Sequence, residues 1–561
     1  MMKKILTMII SLFCIFLFGV ACSVEEEKEI HQHEWELLFS DGDTFHWLEC
    51  GTCKKIEKEV HKFDKNGWNE CSVCKEQLGL VYAVSEDGTY ARVIDHREMP
   101  LPATKKVRIA DTYKGLPVKV INKSAFNESF GLTMLVIPAT VETIEDETFR
   151  WCEKLLEVIN YSPSITIEKG AKTNGYVGFS AISVFNAGEE YKSEFINDNG
   201  CAVYTDGDEK IVVDYVGTET SVTIPSYITQ IYPRAFQATS IRSIVIPDSV
   251  KLIGDYAFKG SRDLTDVIIP DSVETIEKGA FRGCSSLRTA QLGSAVKVIG
   301  DFAFDDCTSL TTVNIPDGVT VINEQTFMSC ASLPFIKIPD SVTEIKSGAF
   351  WGCKNLASIE LGSGVVNIEE PVFSWCKNLQ KIIVSDDNIS YKSIDGNLYS
   401  KDGKNLFRYA IGKNATDFVI PESVQRIGEG AFSSCTLTNV VFHSNITTID
   451  AFAFEESKNL TSIAIPDSVT SVGYKAFFKC SRLTNVVIGK NVSRIGFEAF
   501  RECGSLTSII IPSSVSLIGA AAFYRCWNLT IYCEAVEKPN GWDEEWNDSD
   551  CPVEWGYTGS E

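Results

Sequence analysis

The chain has 561 residues, 44% of them hydrophobic, so it can bury a large core. Its formal net charge of -23 shows that acidic residues outnumber Lys and Arg. Phosphate binding requires an excess of Lys and Arg, so the charge argues against a nucleic-acid partner. A single globular domain of this length would be unusual, and a repeat architecture is therefore favoured.

Residues 1–22 have the pattern of a secretory signal peptide. Lys3 and Lys4 precede a nearly all-apolar run over 5–20, which closes in small residues before Cys22. The run is short for a membrane span, and an uncleaved N-terminal anchor is the alternative. The segment resembles the signal of a bacterial lipoprotein, which implies lipidation of Cys22 and a tether to the membrane. Gly19 stands where such signals usually have leucine, so simple cleavage remains open.

Residues 23–78 combine an acidic tether with a small module rich in cysteine and histidine. Two C-x2-C pairs are separated by seventeen residues, a spacing typical of zinc ribbons, in which each pair supplies half of a tetrahedral site. A module this small gains folding free energy from a metal, so we expect a structural zinc ion. Two disulfides are the alternative. The expected ligands are Cys50, Cys53, Cys71 and Cys74, with His33, His46 and His61 as substitutes.

Residues 79–117 are expected to be strands that cap a repeat array over 118–526. The array repeats one phrase, clearest over 264–284, with a phenylalanine at steps that are mostly 23 residues long. A fixed period in the twenties with Leu and Ile at fixed offsets is typical of leucine-rich repeats. The fourteen phenylalanines are Phe126, Phe149, Phe236, Phe258, Phe281, Phe304, Phe327, Phe350, Phe373, Phe432, Phe454, Phe477, Phe500 and Phe523.

Each copy predicts one coil of a solenoid. Val267 and Ile269 alternate as a short strand with inward side chains, and Pro270 ends the strand by removing a ladder donor. The segment 279–281 predicts a tight return in which Phe281 fills the core. One coil cannot bury these residues alone, so neighbours must stack. The predicted fold class is an α/β-type repeat, a leucine-rich-repeat solenoid of short parallel strands.

Two segments interrupt the phrase, at 160–221 and 385–417. Both carry Asp-Gly turns between apolar stretches, such as Asp395-Gly396, which predict hairpins. A spacer that stacks on the solenoid is favoured over a dedicated ligand loop. Residues 527–561 are expected to cap the C-terminal end, because an open last coil would expose its core. Cys533 and Cys551 leave a disulfide open in that cap.

Ten cysteines follow the repeat phenylalanine by three residues. Ser129, Thr239, Ser261 and Ser457 hold the same position in the other copies, so the position requires a small side chain with a polar tip. A buried column of free thiols is therefore favoured over disulfides. The ten are Cys152, Cys284, Cys307, Cys330, Cys353, Cys376, Cys435, Cys480, Cys503 and Cys526.

The phrase IPxSVxxIGxxAFxxCxxL, as it runs from Ile465 to Leu483, resembles the BspA-type leucine-rich-repeat surface proteins. The resemblance covers roughly 80–560. It implies a curved parallel-strand solenoid at the cell surface, adhesive toward host or microbial proteins. Adhesion is implied by the resemblance alone.

No catalytic arrangement is predicted. Outside the metal module only His96 and His443 remain, which leaves little for a Ser-His-Asp or Cys-His site. We expect a protein that binds a protein partner, and a passive surface spacer is the alternative.

The residue between the two inward strand positions should face outward on the concave side. In order these residues are Val245, Ile268, Gln291, Asn314, Lys337, Glu360, Ile383, Val441, Ala464, Val487 and Ile510. The last five are apolar and predict a partner-binding stripe. Strand propensity alone is the alternative explanation.

Overall fold

The computed structural model describes residues 80–96, 106–127, 129, 131–191 and 195–559. Nearer the N-terminus it describes only the backbone of five strands, Ala21–Cys22, His31–Gln32, Trp35–Ser40, Phe45–Cys50 and Ile56–Val60. The chain divides into two compact units, Met1–Glu194 and Phe195–Glu561. Among the described residues, helical structure is confined to one 3-10 turn at Asn174–Tyr176.

In the second unit each coil contributes to two columns of parallel strands. The coil that begins at Leu264 shows the pattern: Val267 is buried between exposed Asp266 and Ile268, and Ile276 is buried in the second column. The apolar residues therefore meet between the columns. The first column contains Ser221–Thr223, Ser243–Val245, Asp266–Ile268, Thr289–Gln291, Thr312–Val313, Phe335–Ile338, Ser358–Leu361, Lys381–Val384, Asp417–Val419, Asn439–Val441, Ser462–Ala464, Asn485–Val487, Ser508–Ile511, Thr530–Cys533 and Val553–Trp555.

The second column consists mostly of two-residue strands. Its members are Glu209–Tyr215, Gln230–Ile231, Leu252–Ile253, Thr275–Ile276, Val298–Ile299, Val321–Ile322, Glu344–Ile345, Asn367–Ile368, Asn405–Arg408, Arg426–Ile427, Thr448–Ile449, Ser471–Val472, Arg494–Ile495 and Leu517–Ile518. Both inserts join this column. The antiparallel strands Ile196–Asp198 and Cys201–Asp206 lead into its first member, and Tyr391–Ile394 and Asn397–Ser400 lead into Asn405–Arg408. The hairpins therefore stack on the solenoid.

The first unit repeats the two-column plan over fewer coils. One sheet orders Thr143–Ile144, Leu116–Ile121, Ala91–His96 and Leu80–Val84, with Thr112–Tyr113 on Leu116–Ile121. The other is parallel and orders Ser183–Phe185, Glu157–Asn160, Met134–Ile137 and Lys106–Arg108. Residues 160–185, predicted as part of an insert, therefore still contribute a parallel strand to the solenoid.

The return segment of each coil forms a third hydrogen-bonded column. Two residues before and after Phe258 the backbone is left-handed, at Tyr256 (φ 56°) and Gly260 (φ 72°). Left-handed residues alternating with ordinary ones point successive N–H groups the same way. The N–H groups of Tyr256, Phe258 and Gly260 accordingly donate to the next coil at 2.8, 2.7 and 2.7 Å.

The predicted leucine-rich-repeat solenoid of short parallel strands is confirmed. The structure differs in the return segment, where an α/β-type repeat would carry a helix. The described coils use stacked left-handed turns there, because hydrogen bonds between coils satisfy the backbone groups that a helix would satisfy internally.

The phenylalanines stack through the core as a ladder. Phe258 and Phe281 lie 5.0 Å apart with an angle of 2° between their planes, and this arrangement runs from Phe236 to Phe373. A second run starts at Tyr409 and ends at Phe523. Offset ring stacking adds to the free energy of burial.

The C-terminal segment closes the last coil. Trp546 packs edge-on against Phe523, and the indole of Trp542 donates to Val515 O at 2.9 Å. Cys533 and Cys551 are both buried and free, so the disulfide left open by the sequence is not formed.

Candidate binding face

The outward row of the C-terminal coils is apolar and exposed. Val441, Val487 and Ile510 are 43%, 53% and 43% exposed, and Ala464 is exposed beside them. Each follows a buried strand residue, so alternation along the strand turns it away from the core. Four of the five residues predicted as a binding stripe therefore lie in one row.

The fifth predicted residue is not part of this row. Ile383 is half-buried and pairs with Glu360. The register there continues to Lys337, so the neighbours of Ile383 on that side are charged. On the other side of its strand Ile382 N donates to Gly396 O of the second insert at 2.8 Å.

Two further members extend the row. Val419, 68% exposed, pairs with Val441, and half-buried Tyr532 pairs with Ile510. Val419 follows the second insert, and Tyr532 lies in a coil that is one residue shorter. The regular repeat spacing therefore predicts neither position. The Ile-Pro after Val419 was the available signal. We call Val419, Val441, Ala464, Val487, Ile510 and Tyr532 the apolar row.

A polar row precedes the apolar row on the same strands. It consists of Asn439, Ser462, Asn485 and Ser508, and beyond it lies a ladder of threonines. The hydroxyls of Thr438, Thr461 and Thr484 donate to the carbonyl of the threonine one coil earlier, at 2.9, 3.0 and 3.0 Å.

These three rows carry no charged side chain between Thr438 and Ile510, a part of the chain that the structure describes completely. The corresponding outward positions of earlier coils hold Asp266, Arg288, Lys337 and Glu360. Depletion of charge is typical of the centre of a protein interface, and in a chain that is 23% charged it singles out these coils. We call these three rows over Thr438–Ile510, with Val419 and Tyr532 at the ends, the uncharged face.

The buried cysteines of the repeats are poor nucleophiles. Burial raises the pKa of the Cys330 thiol well above its usual value, which disfavours the reactive thiolate. His443 lies 2.9 Å from Pro421 O, a backbone contact on the solenoid. Over the described ranges, no three His, Cys, Asp or Glu side chains are grouped to hold a metal ion.

The predicted N-terminal sites fall elsewhere. Their side chains lie outside the described residues. They belong to the zinc candidates Cys50, Cys53, Cys71 and Cys74, to the substitutes His33, His46 and His61, and to Cys22. No helix in the described part of the chain has the length and apolar character needed to cross a membrane.

Solved structures similar to this chain are leucine-rich-repeat proteins. A leucine rich cell surface protein from Faecalibacterium prausnitzii is 30% identical, covers 61% of this chain and 89% of its own, and has a TM-score of 0.48. Leucine-rich repeat proteins from Bacteroides ovatus and Eubacterium ventriosum are 24% and 21% identical, with TM-scores of 0.37 and 0.41. They cover 78% and 65% of this chain, and 94% and 96% of their own.

No curated protein matches the chain. The family model of the BspA type leucine rich repeat region matches residues 118–177, 215–333, 320–405 and 403–530 in six copies. These segments contain most of the coils whose columns, turns and phenylalanine ladder are described above. The chain therefore belongs to the family of BspA-type leucine-rich-repeat proteins.

Proposed function

We propose that this chain is a bacterial cell-surface protein that binds a protein partner through the uncharged face. The observation that carries the proposal is the row of exposed aliphatic side chains beside two rows of uncharged polar side chains over Thr438–Ile510, with the charged Asp417 only at the edge, paired with Asn439. Burying such a row gains about 25 cal/mol per Å² of apolar surface, and the three rows over Thr438–Ile510 contain no charge that would have to be desolvated. The printed name of the similar Faecalibacterium protein, a cell surface protein, agrees with this location.

The anchoring and the metal belong to the same proposal. Lipid on Cys22 would hold the solenoid at the membrane. Zinc on the two C-x2-C pairs would stabilise the small module between the lipid and the solenoid. The partner is a host extracellular or a microbial surface protein, and the chain acts by binding rather than by catalysis.

The test is a binding screen with the mature protein. We expect a host or microbial surface protein to be retained at sub-micromolar affinity, and Val441→Glu, Val487→Glu and Ile510→Glu each to weaken it at least tenfold, because each buries a charge in the interface. Matched controls are Val245→Glu and Ile268→Glu, which place the same charge at exposed positions of earlier coils. Zinc content and the mass of the N-terminus are measured on the same preparation.

Three outcomes would contradict parts of the proposal. If no protein is retained, the passive spacer is favoured. If all three row variants bind like the controls while their circular dichroism is unchanged, the aliphatic residues reflect strand propensity and the partner binds elsewhere. If neither zinc nor lipid is present, the N-terminal part of the proposal is wrong.

A further inference from the structure

The first unit contains a comparable group of apolar strand residues, but there the group is buried. In its parallel sheet Met134, Val136 and Ile159 point away from the main core, as the apolar row does in the second unit. They are nevertheless only 4–6% exposed, and they form a separate cluster against which Phe185 packs. The equivalent residues of the second unit lie open.

A turn that follows Phe185 places one tyrosine against the edge of this row. After Phe185 the backbone turns back, and Glu189 N donates to Asn186 O at 3.0 Å. Tyr191 then packs edge-on against Phe185, with ring centroids 5.2 Å apart and an angle of 83° between the rings.

The tyrosine hydroxyl makes a second contact. It donates to Glu157 Oε2 at 3.3 Å, and buried Glu157 precedes Ile159 by two residues on the neighbouring strand. The ring of Tyr191 therefore packs on Phe185, which pairs with Ile159, while its hydroxyl reaches Glu157 one strand earlier. Tyrosine suits this geometry because it combines a large apolar ring with one polar tip.

The second unit repeats this pair of rows with other side chains, among them an amide in place of the carboxylate and Ile510 in place of Phe185. Asn485 occupies the polar-row position that Glu157 holds, and Val487 and Ile510 occupy the apolar row. An amide offers the same acceptor to a hydroxyl as a carboxylate does, without a charge to desolvate. The uncharged face therefore has a site for a tyrosine ring over Ile510 with its hydroxyl on Asn485.

The size of the face favours an extended segment over a folded domain. Six strands about 4.8 Å apart span about 24 Å, which about seven residues of extended chain would cover. A stable dimer of folded proteins buries about 800 Å² on each partner, more than a strip of this length and three rows wide provides. A second copy of this chain is therefore disfavoured.

We propose that the uncharged face binds an extended polypeptide segment that carries a tyrosine and no charge at its contact, with that tyrosine placed as Tyr191 is placed on the first unit. This inference rests on the proposed function and names the chemistry of the partner. The ring covers the apolar row, and the hydroxyl bonds to the polar row.

The test selects peptides from a random nine-residue phage library on the whole mature protein. Peptides that bind the wild type and the Ile268→Glu control, but not Val487→Glu, are sequenced. We expect tyrosine to be enriched and Asp, Glu, Lys and Arg to be depleted in them. The best peptide is then synthesised with tyrosine and with phenylalanine, and its affinity for the wild type and for Asn485→Ala is measured.

We expect loss of the hydroxyl to weaken binding to the wild type about fivefold, the effect of one hydrogen bond, and to have no effect on Asn485→Ala. Selected peptides that depend on Val487 but are charged or lack aromatic residues would overturn the inference and leave the proposed function intact. Equal tyrosine and phenylalanine affinities for the wild type would overturn the placement of the hydroxyl. If every peptide that binds the wild type binds Val487→Glu equally well, the inference fails, and the screen for protein partners decides the proposed function.

Discussion

A thiol three residues after the phenylalanine is the most repeated polar group of the core. The Cys284 thiol donates to Phe258 O at 3.1 Å, and in two coils a serine takes the same role, as Ser261 does toward Phe236 O at 2.6 Å. All ten such cysteines are buried and free. At most positions of the column the side chain therefore supplies one donor to a carbonyl of the preceding coil, and a thiol or a hydroxyl can do so; Cys435 instead donates to Ser457 Oγ at 3.3 Å.

Burial of these thiols predicts a loss of stability in alkali. Burial raises the pKa of Cys284 from 9.0 to about 12, so the folded state holds the proton more tightly than the unfolded state. The stabilisation is complete below about pH 9 and is lost as the pH rises toward 12. Each such thiol contributes a slope of up to about 1.4 kcal/mol per pH unit in this window.

The serine coils provide the matched variant. Cys284→Ser should fold, and its free energy of unfolding should fall less steeply with pH above 9, by about 1.4 kcal/mol per pH unit. Denaturant unfolding under reducing conditions at pH 8, 9 and 10 measures this. Identical slopes for wild type and variant would show that Cys284 does not titrate with unfolding.

At the scale of the coil, the return segment explains why glycine recurs beside the phenylalanine. The second residue after it is left-handed in coil after coil, as Gly283 (φ 71°) and Ser329 (φ 57°) illustrate. Residues with a Cβ are strained by about 1–2 kcal/mol in this conformation, yet many coils carry one. Hydrogen bonds to the next coil, such as Ser329 N to Trp351 O at 2.7 Å, hold the conformation.

Substitutions in opposite directions test this account. Gly283→Ala should lower the free energy of unfolding by about 1 kcal/mol. A Cβ there would lie no nearer than 3.8 Å to its neighbours, so the cost is conformational. Ser329→Gly should be neutral or slightly stabilising, because relief of strain offsets the added chain entropy. A loss of more than about 1 kcal/mol in Ser329→Gly would show that the serine side chain itself contributes.

Within the second unit the hydrophobic core is not continuous. One cluster extends from Cys201 to Ala410 and another from Tyr399 to Cys551. Between the two phenylalanine ladders lies the buried guanidinium of Arg408, which donates to Phe373 O at 3.0 Å and Gly430 O at 2.6 Å. A charge that must be desolvated couples neighbouring coils less strongly than stacked rings do.

We therefore expect two unfolding transitions in this unit. Hydrogen exchange measured by mass spectrometry in increasing denaturant should show residues 222–384 and 417–533 losing protection at different denaturant concentrations. The coupling between coils is weakest at Arg408, so the boundary should fall in the second insert. Loss of protection at one common concentration would show that the insert transmits coupling as well as an ordinary coil.

Much of the molecule follows from local pattern. The period of the phenylalanine, the strand before each proline and the small residue in the thiol column each depend only on the contacts of one coil with its neighbours, and those contacts repeat. For the same reason the outward position of Val441, Val487 and Ile510 could be read from alternation within a strand.

Features that depend on contacts across an interruption could not be read in this way. Val419 and Tyr532 join the apolar row, and Ile383 leaves it, because the inserts and a shortened coil reset which strands pair. The left-handed turns replace a helix because most of their partners lie 21 or 22 residues away, beyond the reach of local propensity. Tyr191 packs against Phe185 in the first unit, and this contact depends on the turn that the chain makes after the strand, which the strand pattern does not determine.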